Sequence, residues 1–165
     1  MNLITRSLFA LAFLCFAVSC SQDKDTVQDS VDLSTSVSEL NHQKTFSDEI
    51  LVLVNEHRES MGLNALEKDI PVVNEAVKHS EYMIEQQKIS HDNFFDRADH
   101  LKDLGAARVS ENVAFGYKTA REVVDAWIGS EGHRRTLEGD YTHTGIGVLA
   151  STGGQTYFTH IFVKK

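Results

Sequence analysis

Past residue 20 the chain has no cysteine; the only two are Cys15 and Cys20. Whatever folds downstream is therefore held by its core, without disulfide staples. Lysine and arginine form no cluster, and the formal net charge is -8. A nucleic-acid partner needs a basic face for its phosphates and is excluded on that ground. Long hydrophobic runs are missing as well. The longest uncharged apolar stretch, Leu8 to Val18, is too short to span a bilayer as a helix. There is no HExxH, no CxxC pair and no GxSxG elbow around Ser130, so no local metal or nucleophile motif announces itself. No internal repeat is visible.

What is present begins at the N-terminus. MNLITRSLFALAFLCFAVSC has a positive start at its amine and Arg6, an apolar core and small residues before Cys20, the layout of an export signal. Ala17-Val18-Ser19-Cys20 resembles a bacterial lipobox, with Cys20 as the lipidated first residue of the mature chain. Ala17 stands where leucine is commonest, which keeps ordinary secretion as the alternative. The expectation is an exported, membrane-anchored lipoprotein, periplasmic or at the cell surface, with a signal peptide over residues 1–19. Residues 20–44 are rich in Ser, Thr, Asp and Gln with isolated aliphatics. Such a segment buries too little apolar area to offset its ordering entropy and reads as a disordered tether. The folded domain then runs over residues 45–165.

Within it, a first helix is expected from Ser47 as cap, with Phe46 packing on Leu51 as a staple and Ile50, Leu51, Val54 and Met61 on one face, ending at Gly62. A second starts near Asp69 with Pro71 in its first turn, and its apolar residues from Val72 to Ile84 recur at three- and four-residue steps. A short helix covers Asp96 to Leu104. Another opens with a capping box at Thr119 and Glu122 and buries Val123, Val124, Trp127 and Ile128. Strands are expected at Val113 to Tyr117, Thr144 to Ala150 and Thr156 to Val163, the last two joined by a hairpin. The final strand is apolar on both faces, so it is central and covered on both sides. The fold class is α+β: a three-layer α/β/α sandwich with a mainly antiparallel central sheet.

Four residues stand where loops meet regular elements: His91 in ISHDNF, Glu111 in SENVAFG, His133 in SEGHRR and His143 in YTHTGIG. Rigid scaffolds present sites at such junctions. Three imidazoles and a carboxylate suit zinc or another divalent metal, and the same groups serve acid–base chemistry near neutral pH, with Glu111 as candidate base. The blander alternative is four structural residues tied by hydrogen bonds. His57 and His79 lie on helix faces, His42 in the tether, His100 on the short helix, and His160 between Phe158 and Phe162, packed in the core. Gly145 and Gly147 sit inside a strand and point to a bulge or a close backbone approach.

The order LVNEHRESMGLNAL, AVKHSEYMIEQQKISHDNF, ENVAFGY, WIGSEGHRRTL, THTGIGV and YFTHIF resembles the CAP superfamily (the SCP domain of cysteine-rich secretory, antigen 5 and pathogenesis-related proteins), in its bacterial secreted branch. The resemblance implies an α/β/α sandwich with a cleft of two histidines and acidic residues, which in some members holds zinc or another divalent ion. Carried over, the histidines fall on His91 and His143 and the glutamate on Glu111. The second acid is absent: Ser130 stands three residues after Trp127, and the bacterial pattern supplies His133 instead.

Three functions follow as expectations. One is a non-catalytic envelope module binding a metal and a small ligand, lipid, glycan or peptide. Another is a metal-assisted hydrolase of envelope peptides or peptidoglycan with Glu111 as base. The third is a structural or interaction domain without bound metal.

Overall fold

The computed structural model describes residues 25–165, with side chains from residue 35 onward. The expected signal peptide and the lipidation site Cys20 lie outside the described residues. Helix α1 spans Asp25–Ser60, and this corrects the expected disorder of residues 20–44 over their described part. The composition argument concerned burial, and burial is indeed slight there, since Leu40 remains 61% exposed. A helix needs only local hydrogen bonds once nucleated, and Ile50, Leu53 and Val54 are buried farther along. No glycine or proline interrupts residues 21–61, so nothing stops the helix from propagating back toward the N-terminus. Ser47 is consequently not a cap: it lies inside the helix, and its hydroxyl donates to the Lys44 carbonyl at 2.9 Å. Gly62 does end the helix, at φ 75°, with the Leu63 amide bonded to the Arg58 carbonyl at 2.9 Å. Met61 lies beyond the end and is exposed.

The other helices are α2 (Ile70–Glu85), α3 (Phe94–Asp103), α4 (Ala120–Gly129) and α5 (Glu131–Leu137). The capping box of α4 is formed: the Glu122 amide donates to Thr119 Oγ1 at 3.2 Å, and Glu122 Oε2 accepts from the Thr119 amide at 3.1 Å. Four strands, β1 (Glu67–Lys68), β2 (Arg108–Phe115), β3 (His143–Ala150) and β4 (Thr156–Lys164), form one sheet in the order β1-β3-β4-β2. β3–β4 and β4–β2 are antiparallel, while β1 joins β3 in parallel over two residue pairs. The sheet is thus mixed rather than mainly antiparallel, because a short stretch before α2 adds itself to the outer edge.

Central β4 is covered on both faces, as its two-sided apolarity requires. Phe158 and Phe162 pack with Ile50, Val54, Val124 and Trp127 on one side. Ile161 and Val163 pack with Val72, Ala76 and Leu101 on the other. The two glycines of β3 explain how α2 lies so close. A Cβ on Gly145 would stand 2.2 Å from the Val73 nitrogen, and one on Gly147 would stand 2.4 Å from the Ala76 carbonyl oxygen. Ser80 completes that contact, donating to the Gly147 carbonyl at 3.1 Å beside Thr159 Oγ1 at 2.9 Å. On the other face a fully buried arginine, Arg58, holds the chain after α5: its Nη1 donates to the carbonyls of Leu137 at 2.7 Å and Gly139 at 2.9 Å. Burial holds its pKa below the usual arginine value, against the opposing pull of nearby Asp140.

Candidate functional site

The polar cluster is built on Glu111, in the middle of β2, where alternation turns its side chain toward the α2–α3 face beside its ladder partner Ile161. Both carboxylate oxygens are committed. Arg97 of α3 donates from Nε to Oε2 at 3.1 Å and from Nη2 to Oε1 at 3.0 Å and Oε2 at 2.9 Å. His91 Nδ1 donates to Oε1 at 2.9 Å. The Glu111 side chain is only 1% exposed, whereas that of His91 is 53% exposed. A buried carboxylate thus orients an imidazole at the surface, and no protein hydrogen bond occupies His91 Nε2 among the described residues. Arg97 Nη1 also donates to the Asp92 carbonyl at 2.7 Å, which fixes the loop carrying His91.

His79 of α2 stands behind this pair, with Nε2 3.7 Å from Glu111 Oε1. Its Nε2–H donates to the Ser90 carbonyl at 2.8 Å, so this helix-face residue, with the side-chain hydrogen bond expected of it, pins the turn before His91. Burial pushes its pKa down, against the upward pull of Glu111. His133 lies on α5, whose backbone is tied next to Glu111 by Asn112 Nδ2 donating to the His133 carbonyl at 3.0 Å. Partial burial lowers its pKa, and the proximity of His91 lowers it further. His91, Glu111 and His133 therefore share one neighbourhood.

His143 does not join them. Its Nδ1 is paired with Thr142 Oγ1 at 2.9 Å, and its Nε2 stands 3.9 Å from Glu67 Oε2, its neighbour on β1. Register explains the separation. Glu111 lies on one edge strand and His143 on the far side of β4, about 10 Å across two strand spacings. Val72, Ile161 and Val163 fill the face between. The remaining histidines keep to structural roles: His57 pairs with Glu138 at 2.9 Å and His100 with Glu75 at 3.1 Å. His160, fully buried, bonds Thr144 Oγ1 at 2.8 Å, and its pKa is pushed down to about 3 by burial, with a smaller contribution from Arg58.

The expected four-ligand metal site does not fit this geometry. A guanidinium within hydrogen-bonding distance of both Glu111 oxygens puts a positive charge where a cation would sit, and His143 is elsewhere. Among the described residues no three His, Cys, Asp or Glu side chains are grouped to hold a metal ion. The same saturation corrects the expectation of Glu111 as a base, because a base needs an uncommitted oxygen toward its substrate. Arg97 is the residue the sequence reading missed. An arginine near the start of a short helix, where acidic residues are favoured, was the available signal of a tertiary partner.

Comparison with known proteins agrees with the fold. The cysteine-rich secretory protein (CAP) family model matches residues 51–163. The uncharacterised membrane protein YlbC of Bacillus subtilis is 36% identical over 128 residues, covering 74% of this chain and 36% of that protein. An outer surface protein of Borrelia burgdorferi superposes with a TM-score of 0.68 at 26% identity, covering 74% of this chain and 95% of that one. An extracellular SCP-domain protein of Bacillus anthracis superposes with a TM-score of 0.66 at 28% identity, over 74% of this chain and 41% of that one. The chain spans about a third to a half of the length of the curated relatives it matches. By the motif order, the sandwich and the extent of the family match, this chain belongs to the CAP, or cysteine-rich secretory protein, family.

Proposed function

We propose that the chain is an exported CAP domain displayed at a bacterial cell envelope through a lipid on Cys20, and that its cleft recognises a polar envelope ligand through His91 and His133. The observation that carries this is the Glu111–His91 pair. A buried carboxylate, locked by Arg97, holds an exposed imidazole whose Nε2 has no protein hydrogen bond among the described residues. In its neutral form an imidazole that donates from Nδ1 keeps its Nε2 lone pair, ready to accept from a hydroxyl or amide. In this reading His133, on the helix held by the neighbouring Asn112, supplies the second group. Export draws support from relatives described as an extracellular protein and an outer surface protein. The anchor in this reading is the lipid.

The test is cosedimentation of the purified domain with isolated cell-wall sacculi. Wild type and His143→Ala are expected in the pellet, and His91→Ala and His133→Ala in the supernatant. Equal behaviour of all four proteins removes the cleft from the reading. The anchor is tested separately by radioactive fatty-acid labelling, expected on wild type and absent from Cys20→Ala; an unlabelled wild type refutes it. A hydrolase is the second reading, favoured by the same pair, since a carboxylate-backed imidazole is a general base in waiting. Release of soluble fragments from the sacculi, abolished in His91→Ala, would establish it.

A further inference from the structure

We infer that the outer edge of β3 is a second binding site, independent of the histidine cleft, which takes an extended apolar peptide as an added strand. β1 covers this edge only opposite His143 and Thr144. The chain then turns away into α2, and a groove of about 360 Å³ continues along β3 to Leu149. One wall is α1, through Leu40 and Leu51; the other is α2, through Ile70, Val73 and Val77.

The chemistry of the floor identifies the occupant. In an antiparallel pair, alternate residues turn their N–H and C=O toward the partner and those between turn them away. Two hydrogen bonds fix which residues do which on β3. The Ser151 amide bonds to the Gln155 carbonyl at 2.8 Å, which assigns the odd-numbered residues to β4. The Asp69 amide bonds to the Thr144 carbonyl at 2.9 Å, which turns the even-numbered ones toward β1. Ile146 and Val148 share the parity of Thr144, so their amides and carbonyls face the groove, where β1 no longer reaches. Among the described residues no other hydrogen bond meets them there, although Ile146 and Val148 are only 5% and 4% exposed. Nearly buried backbone groups call for partners. An acyl chain would match the walls and leave this row unsatisfied. An extended peptide satisfies it, because its own amides and carbonyls recur at the same two-residue spacing, about 6.6 Å. Its side chains alternate toward α1, which offers Leu40 and Leu51 among Gln43, Lys44 and Ser47, and toward Ile70, Val73 and Val77 of α2, in the mode of strand addition. A free edge of this kind is otherwise an aggregation hazard, and here α1 and α2 shield it from large surfaces while leaving room for one strand.

The test uses a pool of acetylated, amidated octapeptides with four central Val, Ile, Leu or Phe positions between lysine pairs. A matched pool carries N-methyl groups on alternate central amides. Both are presented to the purified protein by equilibrium dialysis with mass-spectrometric readout. Unmethylated members are expected to be retained at least tenfold better than methylated ones. Hydrogen exchange at the Ile146 and Val148 amides is expected to slow at least tenfold when they bind. Ile70→Lys, at a position 63% exposed, and Val77→Lys are expected to remain folded and to lose retention. Cosedimentation with sacculi is expected to be unaffected by either variant, which separates this site from the cleft. The inference is overturned by equal retention of the two pools, by no retention of either, or by palmitate displacing both alike. A dimer whose Ile146 and Val148 amides are already protected without peptide would also overturn it, by assigning the edge to a second copy.

Discussion

Replacing Arg97 with leucine removes three hydrogen bonds from Glu111 at once and leaves its carboxylate, 1% exposed, with His91 as its remaining hydrogen-bond partner. Breaking a buried ion pair from one side costs about 3–5 kcal/mol, because the surviving charge is stranded in low dielectric. The lost bond to the Asp92 carbonyl adds about 1 kcal/mol. Against the roughly 5–15 kcal/mol of a typical domain, the variant is expected to fold but to unfold at a urea concentration about 2–3 M lower, for a slope near 2 kcal/mol per M. Glu111→Leu strands the guanidinium instead and is expected to cost a similar amount. The double variant Arg97→Leu/Glu111→Leu strands neither charge, so its cost is expected to fall well below the sum of the singles. Urea unfolding followed by Trp127 fluorescence measures all three. Single-variant costs below about 1 kcal/mol, or costs that add within about 0.5 kcal/mol, would show that the carboxylate does not depend on this guanidinium. The account of a preorganised His91 would then fail.

Further outcomes follow from the same structure. Gly147→Ala drives a methyl to 2.4 Å from the Ala76 carbonyl oxygen; overpacking of this kind costs about 1–3 kcal/mol or more, read as a lowered thermal midpoint. Thr119→Ala removes the formed cap of α4 and is expected to cost about 1 kcal/mol by the same melt. His160, with its folded pKa near 3 against an unfolded value of 6.5, stays neutral while the unfolded chain takes up a proton. Its contribution to stability is therefore complete above pH 6.5 and is lost as pH falls toward 3. Between pH 7 and 5 this amounts to about 2 kcal/mol, and urea titrations at the two values should show a correspondingly flatter dependence for His160→Gln.

The helices α2, α3 and α4, the hairpin and the two-sided final strand were legible before any coordinates, whereas the short α5 and the two-residue β1 were not. Each legible element is written in local signals: Pro71 in a first turn, the Thr119–Glu122 box, the alternation around Phe158 and Ile161. Such signals act over a few residues, within reach of a pattern. The helical state of residues 25–44 was misread because low burial was equated with disorder, whereas a helix can extend from a nucleus packed elsewhere. At the site, His91 and Glu111 were found by their chemistry, but the partner that sets their character was not. Arg97 meets Glu111 across fourteen residues of chain, through the crossing of α3 over β2.

Residue types and spacing alone therefore determined the longer elements after Gly62, their order and the family, because hydrogen bonding and amphipathicity within an element depend on its immediate neighbours. Only the tertiary structure decided which charges meet. It gave Glu111 an arginine partner, placed β4 and a hydrophobic cluster between Glu111 and His143, and left the β3 edge open beyond Thr144. Those outcomes depend on strand register and helix placement, where a shift of one residue turns a side chain to the opposite face.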